Sequence, residues 1–214
     1  SMYYPAENNG KILFSAWAAA AIACLLQKQR DAVGLCTFSN EINYQSQVKS
    51  TSIHLHAIMK QLSQLANDQS RMHQATAVAE VLHHIANQSH RRSLIVLFSD
   101  MFENIEHHDA IFSALQHLKH NHHEVLLFHV FDKKTEQEFE FQQRPYVFTD
   151  LETGDKVKLL PHEYKEKYTQ TISAYYKELK DKCGAYKIDF IEADINEPAE
   201  NVLLQFFIKR ASMR

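Results

Sequence analysis

Oxygen-bearing side chains follow several apolar segments that have the character of buried strands. They are Ser39 after residues 31–38, Ser99 and Asp100 after residues 93–98, and Asp132 after residues 124–131. Ligands of open α/β sheets bind outside the carboxyl ends of the strands, so these side chains are the first candidates for chemistry. Hydroxyl and carboxylate oxygens suit a hard cation such as Mg²⁺, and an aspartate in this position could also accept a phosphoryl group.

The chain lacks the patterns of nucleotide-binding loops and of serine hydrolases. Its four glycines are scattered, whereas a loop that cradles phosphate needs clustered glycines. Cys36 or Ser39 could meet a histidine in space, but no G-x-S-x-G nucleophile elbow occurs. These absences argue against nucleotide binding through such loops and leave no catalytic residue to name.

Three pairs of adjacent histidines raise the question of zinc binding. They are His83–His84, His107–His108 and His122–His123. Neighbouring residues on a helix point about 100° apart, so such a pair does not chelate one ion as an i, i+4 pair can. We interpret these histidines as solvated helix ends and faces.

The candidate residues lie within an alternation of strands and helices. Apolar spacing predicts helices over 11–29, 54–66, 76–86, 108–120, 162–183 and 197–210, and strands over 31–38, 43–49, 93–98, 124–131 and 187–193. This order predicts one domain over 1–214, with a doubly wound, mostly parallel α/β sheet flanked by helices. Gly184 is predicted to stand just beyond the end of the helix over 162–183.

One segment, 136–160, departs from this alternation. Its residues alternate with period two around a turn signal at 152–155, which predicts a β-hairpin inserted into the α/β frame. The aromatic residues of the segment would either pack in the core or form an exposed binding ridge. They are Phe139, Phe141, Tyr146 and Phe148.

Composition argues against a nucleic-acid partner and a membrane span, and it favours a reducing compartment. The net charge is −3, without the basic stripe that a nucleic-acid partner would require. Three cysteines without a C-x-x-C spacing indicate reduced thiols and a cytoplasmic location. The longest apolar segment, Ile12 to Leu26, is shorter than the roughly 18 residues that a membrane span needs, so we expect none.

Four segments, taken in order, resemble a known family. They are RDAVGLCTFS (30–39), ATAVAEVLHHIA (75–86), RRSLIVLFSDMFEN (91–104) and HEVLLFHVFD (123–132), and the tail at 189–210 fits as well. Together they resemble the bacterial domain-of-unknown-function family fifty-eight, a von Willebrand factor A-like (vWA-like) group, over nearly the whole chain. The resemblance implies a vWA/Rossmann-like fold.

The resemblance also implies a metal-ion-dependent adhesion site that holds Mg²⁺. Thr76 matches its loop threonine and Asp100 matches its final aspartate, with Ser99 beside the ligands. Ser1 matches the last serine of the D-x-S-x-S motif, unless Ser1 and Met2 remain from cloning. The aspartate and the first serine of that motif have no counterpart here. On local grounds alone, Asp100 and Thr76 could instead cap the helices that follow them.

The same resemblance implies that the first, central strand of the sheet is missing from this chain. In vWA folds that strand lies between the strands that here cover 32–38 and 93–98. Both segments are strongly apolar. If no strand lay between them, the protein would lose the stabilisation that comes from burying a whole strand's apolar surface. We therefore expect either that the two strands pair directly or that another chain, as in a homodimer, fills the vacant position.

Three functions follow as hypotheses. The first, which we favour, is a non-enzymatic protein-binding module that binds its partner through the Mg²⁺-dependent adhesion site. Its implied partner is a MoxR-type AAA+ ATPase, because members of the resembled family are often encoded beside one. The second is a metal-dependent α/β hydrolase or phospho-acceptor domain that uses Asp100. The third is a structural domain whose metal site has decayed.

Overall fold

A three-stranded parallel sheet forms the centre of the protein in the computed structural model. The structure describes residues 1–5, 10–39, 41–67, 78–90, 92–101, 108–149 and 154–212. The helices are α1 (Gly10–Lys28), α2 (Ser52–Asn67), α3 (Val78–Gln88), α4 (His108–His120), α5 (Pro161–Ala185) and α6 (Ala199–Ser212). The strands are β1 (Cys36–Phe38), β2 (Ile42–Gln45), β3 (Leu94–Ser99), β4 (Glu124–Phe131), β5 (Tyr146–Thr149), β6 (Lys156–Leu159) and β7 (Asp189–Asp194).

The central sheet has the strand order β3–β4–β7, and both pairings are parallel. The middle strand, β4, is buried from Val125 to Phe131. This explains its continuous apolar sequence, because a parallel strand that is covered on both faces has no solvent side for polar residues. The parallel α/β core is as predicted from the sequence.

Helices cover both faces of this sheet. On one face, α3, α4 and α5 contribute Leu82, Leu115 and Leu179 to a cluster that packs on Leu127. On the other face, α1 and α6 pack on Leu126, Phe128 and Val130 of β4, which alternate with the residues of the first face. Helix α2 lies outside α1, where a separate apolar cluster joins the two helices.

Helix α1 is apolar enough to cross a membrane by length and composition alone, over its 19 residues. A core helix passes the same test, and 44% of its most apolar window is buried inside the protein. Phe14, Ala18 and Ile22 of α1 pack against the sheet and α6. The expectation of no membrane span therefore stays a prediction.

The predicted strand over 31–38 is not part of the parallel sheet among the described residues. Only β1 is regular, and it pairs antiparallel with β2, while Val33 forms an isolated bridge to Lys49. The prediction that this segment pairs directly with β3 is therefore wrong. A cavity of about 780 Å³, lined by Val33, Leu35, Leu94 and Val96 among others, separates the two segments. We call this cavity the strand slot.

The segment predicted as an insertion contains the antiparallel pair β5–β6. The first half of its turn signal, residues 152–153, lies outside the described residues. Helix α5 follows directly and runs through Gly184 to Ala185, so the prediction that Gly184 lies beyond the helix end is wrong. Lys187, with φ of 56°, adopts the left-handed conformation near this helix end instead.

Candidate functional site

The three central strands end in polar residues at one edge of the sheet. Ser99 ends β3 and Asp100 follows it, Asp132 follows β4, and Asp194 ends β7. All four are buried, with exposed fractions of no more than 9%. Parallel strands bring these residues together because all their carboxyl ends meet at the same edge. We call this group the carboxyl edge.

A buried lysine from α1 contacts the carboxyl edge. The side chain of Lys11 is 0% exposed, and its Nζ lies 3.0 Å from Oδ2 of Asp100 and 2.6 Å from Oε1 of Glu136. Lys11 stands in the first turn of α1, and Glu136 stands in the π-helical turn Lys133–Gln137 that follows β4. One ammonium group thus joins three separate elements, and we call these three residues the ion triad.

Burial and pairing act in opposite directions on the ion triad. Burial disfavours the charged form of Asp100, but the Lys11 ammonium and a hydrogen bond with Ser1 hold its pKa below the ordinary value. Burial also opposes the charge of Lys11, yet the two carboxylates raise its pKa. For Glu136 burial outweighs Lys11, and the pKa lies above the ordinary value.

Of the other predicted site residues, some lie near Asp100 and others do not. Ser1 reaches Asp100 through its side chain. The hydroxyl oxygen of Ser99 accepts a hydrogen bond from the backbone N–H of Met101 at 3.1 Å, so it stabilises the turn after β3. Thr76 lies outside the described residues. Ser39, which follows β1, donates to Oδ1 of Asn43 in β2 at 3.2 Å.

The π-helical turn after β4 orients Glu136 toward Lys11. The backbone N–H of Asp132 donates to Oε2 of Glu136 at 2.8 Å, and Tyr168 of α5 donates to the backbone oxygen of Glu136 at 2.9 Å. Burial raises the pKa of Tyr168 to about 12, and the nearby Glu136 charge adds to this effect. Both oxygens of the Glu136 carboxylate are therefore engaged, one with Lys11 and one with the backbone.

The remaining acidic residues of the carboxyl edge are held by amide donors. The side-chain amide of Asn196 donates to Oδ1 of Asp132 at 2.8 Å and to Oδ1 of Asp194 at 2.9 Å. Backbone N–H groups of Lys134 and Lys133 donate to the same two carboxylates. These contacts tie the ends of β4 and β7 together, which is a structural role.

A histidine of β4 lies buried beside the ion triad. His129 is 0% exposed and contacts the rings of Phe131, Tyr176 and Phe190. Among the described residues, neither of its ring nitrogens has a hydrogen-bond partner. Burial lowers the pKa of His129 to about 4, against the opposing effect of Asp100. The ring is therefore neutral near pH 7.

The paired histidines take more varied positions than the sequence interpretation allowed. His83 and His117 join α3 to α4 through their Nδ1 atoms, 3.0 Å apart, and His84 contacts Gln45. His123 is 1% exposed, so its interpretation as a solvated residue is wrong; it folds back onto the start of β3 through Ser93. His107 lies outside the described residues.

As arranged, the described donors do not fit the Mg²⁺ that the resemblance implies. Mg²⁺ requires near-octahedral oxygen ligands at about 2.1 Å. The cation that contacts Asp100 is instead the ammonium of Lys11, at 3.0 Å. No group of three or more His, Cys, Asp or Glu residues is placed to hold a metal ion in the described part of the chain. Mg²⁺ binding thus stays a prediction, and the geometry assigns the cation position beside Asp100 to Lys11.

Sequence reasoning located Asp100 but missed three residues that surround it. Asp100 directly follows a segment that is clearly predicted as a strand. Glu136 lies in the turn after β4, and no sequence pattern predicted this turn. His129 occupies one position of an otherwise apolar strand. For Lys11 a signal was present, because it lies one helical turn before Ser15, which the apolar spacing had placed on the inward face.

Comparison with known proteins gives one match. A family model described as "Protein of unknown function DUF58" matches residues 1–177. No curated protein and no solved structure matches the chain.

Proposed function

This chain belongs to the DUF58 family of proteins of unknown function, and from this premise we propose that it is a non-enzymatic protein-binding module of vWA type. Its partner in this proposal is a MoxR-type AAA+ ATPase. The partner contacts the exposed surface of the β5–β6 hairpin, which lies near the carboxyl edge. The observation that carries the proposal is the closed ion triad, in which Lys11 and Asp100 are buried, the Glu136 side chain is only 15% exposed, and all three charged groups are paired.

The closed triad favours binding over catalysis for a simple reason. A phospho-acceptor or hydrolase must present a carboxylate to its substrate, but Asp100 is 5% exposed and contacts Lys11 and Ser1. A general base must also be able to reach the proton that it removes. Asp100 meets neither condition in this arrangement, which counts against the hydrolase and phospho-acceptor alternatives.

The hairpin beside the carboxyl edge offers a surface for a protein partner. Phe139, Phe141, Tyr146 and Phe148 pack against one another, and Phe139 also stacks on Tyr168. Val147 and Val157 of the same hairpin are each 57% exposed. A rigid aromatic base that carries exposed apolar side chains is the composition expected of a protein interface.

The strand slot supports the vWA part of the proposal. A vWA sheet has a further strand at this place, between the segments that here are β1 and β3. The slot lies between these two segments and is lined by apolar side chains from both. A strand from a second copy of the chain would occupy it in a homodimer.

Affinity capture from a native lysate tests the proposed partner. We expect the immobilised chain to retain a MoxR-type ATPase, identified by mass spectrometry, and we expect Val147→Glu with Val157→Glu to reduce its recovery at least about tenfold, as loss of an apolar anchor does. The matched control is Ile53→Glu on α2, where the apolar side chain is 87% exposed. Captures with Mg²⁺ and with EDTA show whether a divalent ion contributes.

Failure to recover the ATPase under any of these conditions would count against the partner. Labelling of Asp100 by acetyl phosphate, or phosphatase activity that is lost in Asp100→Asn, would instead establish the enzymatic alternative.

A further inference from the structure

The ion triad places a fixed positive charge where two carboxylates meet. Nζ of Lys11 lies 3.0 Å from Asp100 and 2.6 Å from Glu136, and the lysine side chain is fully shielded from solvent. The Tyr4 ring also faces the ammonium, with its centroid 5.8 Å from Nζ. A buried ammonium group is strongly unfavourable unless it is paired, so these contacts are what allow Lys11 to reside here.

This position is also where a divalent ion would have to stand to contact both carboxylates. Carboxylate oxygens are the usual ligands of Mg²⁺ and Mn²⁺ in proteins. Two cations cannot share one small buried position, because their repulsion is largest where the surroundings have a low dielectric constant. An ion that contacts Asp100 from this side must therefore displace the Lys11 ammonium.

We propose that Lys11 is a tethered cation that closes the divalent-ion position between Asp100 and Glu136, so that this position binds a divalent ion only when the lysine charge is removed or displaced. Glu136 is then a latent second carboxylate ligand, supplied by the turn after β4. Because Lys11 belongs to the first turn of α1, any movement of this helix end away from Glu136 opens the position. A partner that moves the end of α1 would thus control ion binding at Asp100.

The inference concerns ion binding by the isolated chain and does not depend on the partner proposed above. Its failure would leave the binding-module proposal in place, and failure to capture an ATPase would leave this inference in place.

Titration with Mn²⁺, followed by the electron paramagnetic resonance signal of the free ion, tests the inference directly. We expect no site on the wild-type chain at submillimolar Mn²⁺. In Lys11→Met, which keeps the side-chain length and removes the charge, we expect one site with at least about tenfold tighter binding. The matched control is Lys28→Met at the exposed end of the same helix, which should behave as the wild type.

A second pair of variants connects the new site to the two carboxylates. Lys11→Met combined with Glu136→Gln should lose the gained Mn²⁺ site, and Lys11→Arg should keep the position closed. Thermal melts provide an independent readout, because a ligand present at about tenfold over its dissociation constant raises the melting temperature of a domain of this size by about 3 °C or more. Only the Lys11→Met chain should show this shift with Mn²⁺.

Two results would overturn the inference. One is a wild-type chain that binds Mn²⁺ as tightly as the Lys11→Met variant. If Lys11→Met does not fold, Lys11→Gln takes its place in this comparison. The other is a folded neutral variant without a Mn²⁺ site. A neutral variant that folds only when Mn²⁺ is added would support the inference, because the ion then replaces the missing ammonium.

Discussion

At the scale of single residues, His129 is a titratable group whose buried surroundings disfavour its charged form. It faces the aromatic rings of β4, β7 and α5, with Asp100 and Lys11 close enough to influence its charge. The folded protein therefore resists protonation of this ring until the pH approaches about 4. In the unfolded chain a histidine takes up its proton near pH 6.5.

We expect this difference to make the protein lose stability in mild acid. His129 has a lowered pKa in the folded state, so its stabilising effect is complete above about pH 6.5 and is lost as the pH falls toward about 4. Between pH 7 and pH 5 the expected loss in the free energy of unfolding is about 2 kcal/mol. Urea unfolding at both pH values measures it.

The control for this prediction is His129→Phe, which keeps an aromatic ring among aromatic neighbours. The variant should lose about 2 kcal/mol less than the wild type over the same pH range. An equal loss in both proteins would assign the acid sensitivity to other groups. Asp100 is not one of these groups. Its pKa is lowered in the folded protein, so its stabilising effect is lost only when the pH falls below the ordinary aspartate pKa near 4.

At the scale of elements, the β5–β6 hairpin depends on one aromatic residue. Phe139 is 8% exposed and contacts the rings of Phe141, Phe148 and Tyr168. Its φ of 50° is unusual for a residue with a side chain, so the conformation is maintained by these contacts. Because Tyr168 also bonds to the backbone of Glu136, the hairpin base and the ion triad share a support.

We expect Phe139→Ala to lower the free energy of unfolding by about 3 kcal/mol, the usual cost of removing a buried phenylalanine ring. Val147→Ala, at an exposed position of the same hairpin, should change it by less than about 0.5 kcal/mol. Denaturant unfolding measures both. Similar losses in the two variants would mean that the ring cluster does not anchor the hairpin.

At the scale of the whole molecule, the strands of the central sheet differ in how many of their edges are hydrogen-bonded to another strand. In the described part of the chain, β4 is hydrogen-bonded to strands on both sides, whereas β3 is paired only with β4 and borders the strand slot on its other side. An open strand edge exposes unpaired backbone groups that another strand can join. The slot is thus the place where the protein can gain a further strand.

We expect amide hydrogen exchange to report this difference. At low micromolar concentration the slot-facing amides of β3 should exchange much faster than those of β4, because they lack a protein acceptor. If a second copy fills the slot, as the homodimer proposal holds, their protection should rise with protein concentration. Sedimentation of the same samples would then show a dimer. Equal protection of β3 and β4 in a monomer would contradict the open slot.

The sequence by itself determined the elements of the central sheet and one residue of the site. The apolar runs at 93–98 and 124–131 predicted strands of the central sheet, because continuous apolar segments of this length are typical of parallel strands that are covered on both faces. Asp100 followed from its place at the end of such a run. These features are local, so the order of residues is sufficient to predict them.

Only the tertiary structure decided which groups meet Asp100 and how the first strands pair. Lys11, Asp100 and Glu136 are separated by 89 and 125 positions along the chain, measured from Lys11, so no spacing rule connects them. The segment at 31–38 reads as a core strand, yet only residues 36–38 form a strand, and they pair with β2 instead of joining the parallel sheet across the slot. Long-range pairing depends on packing in space, which local patterns do not encode.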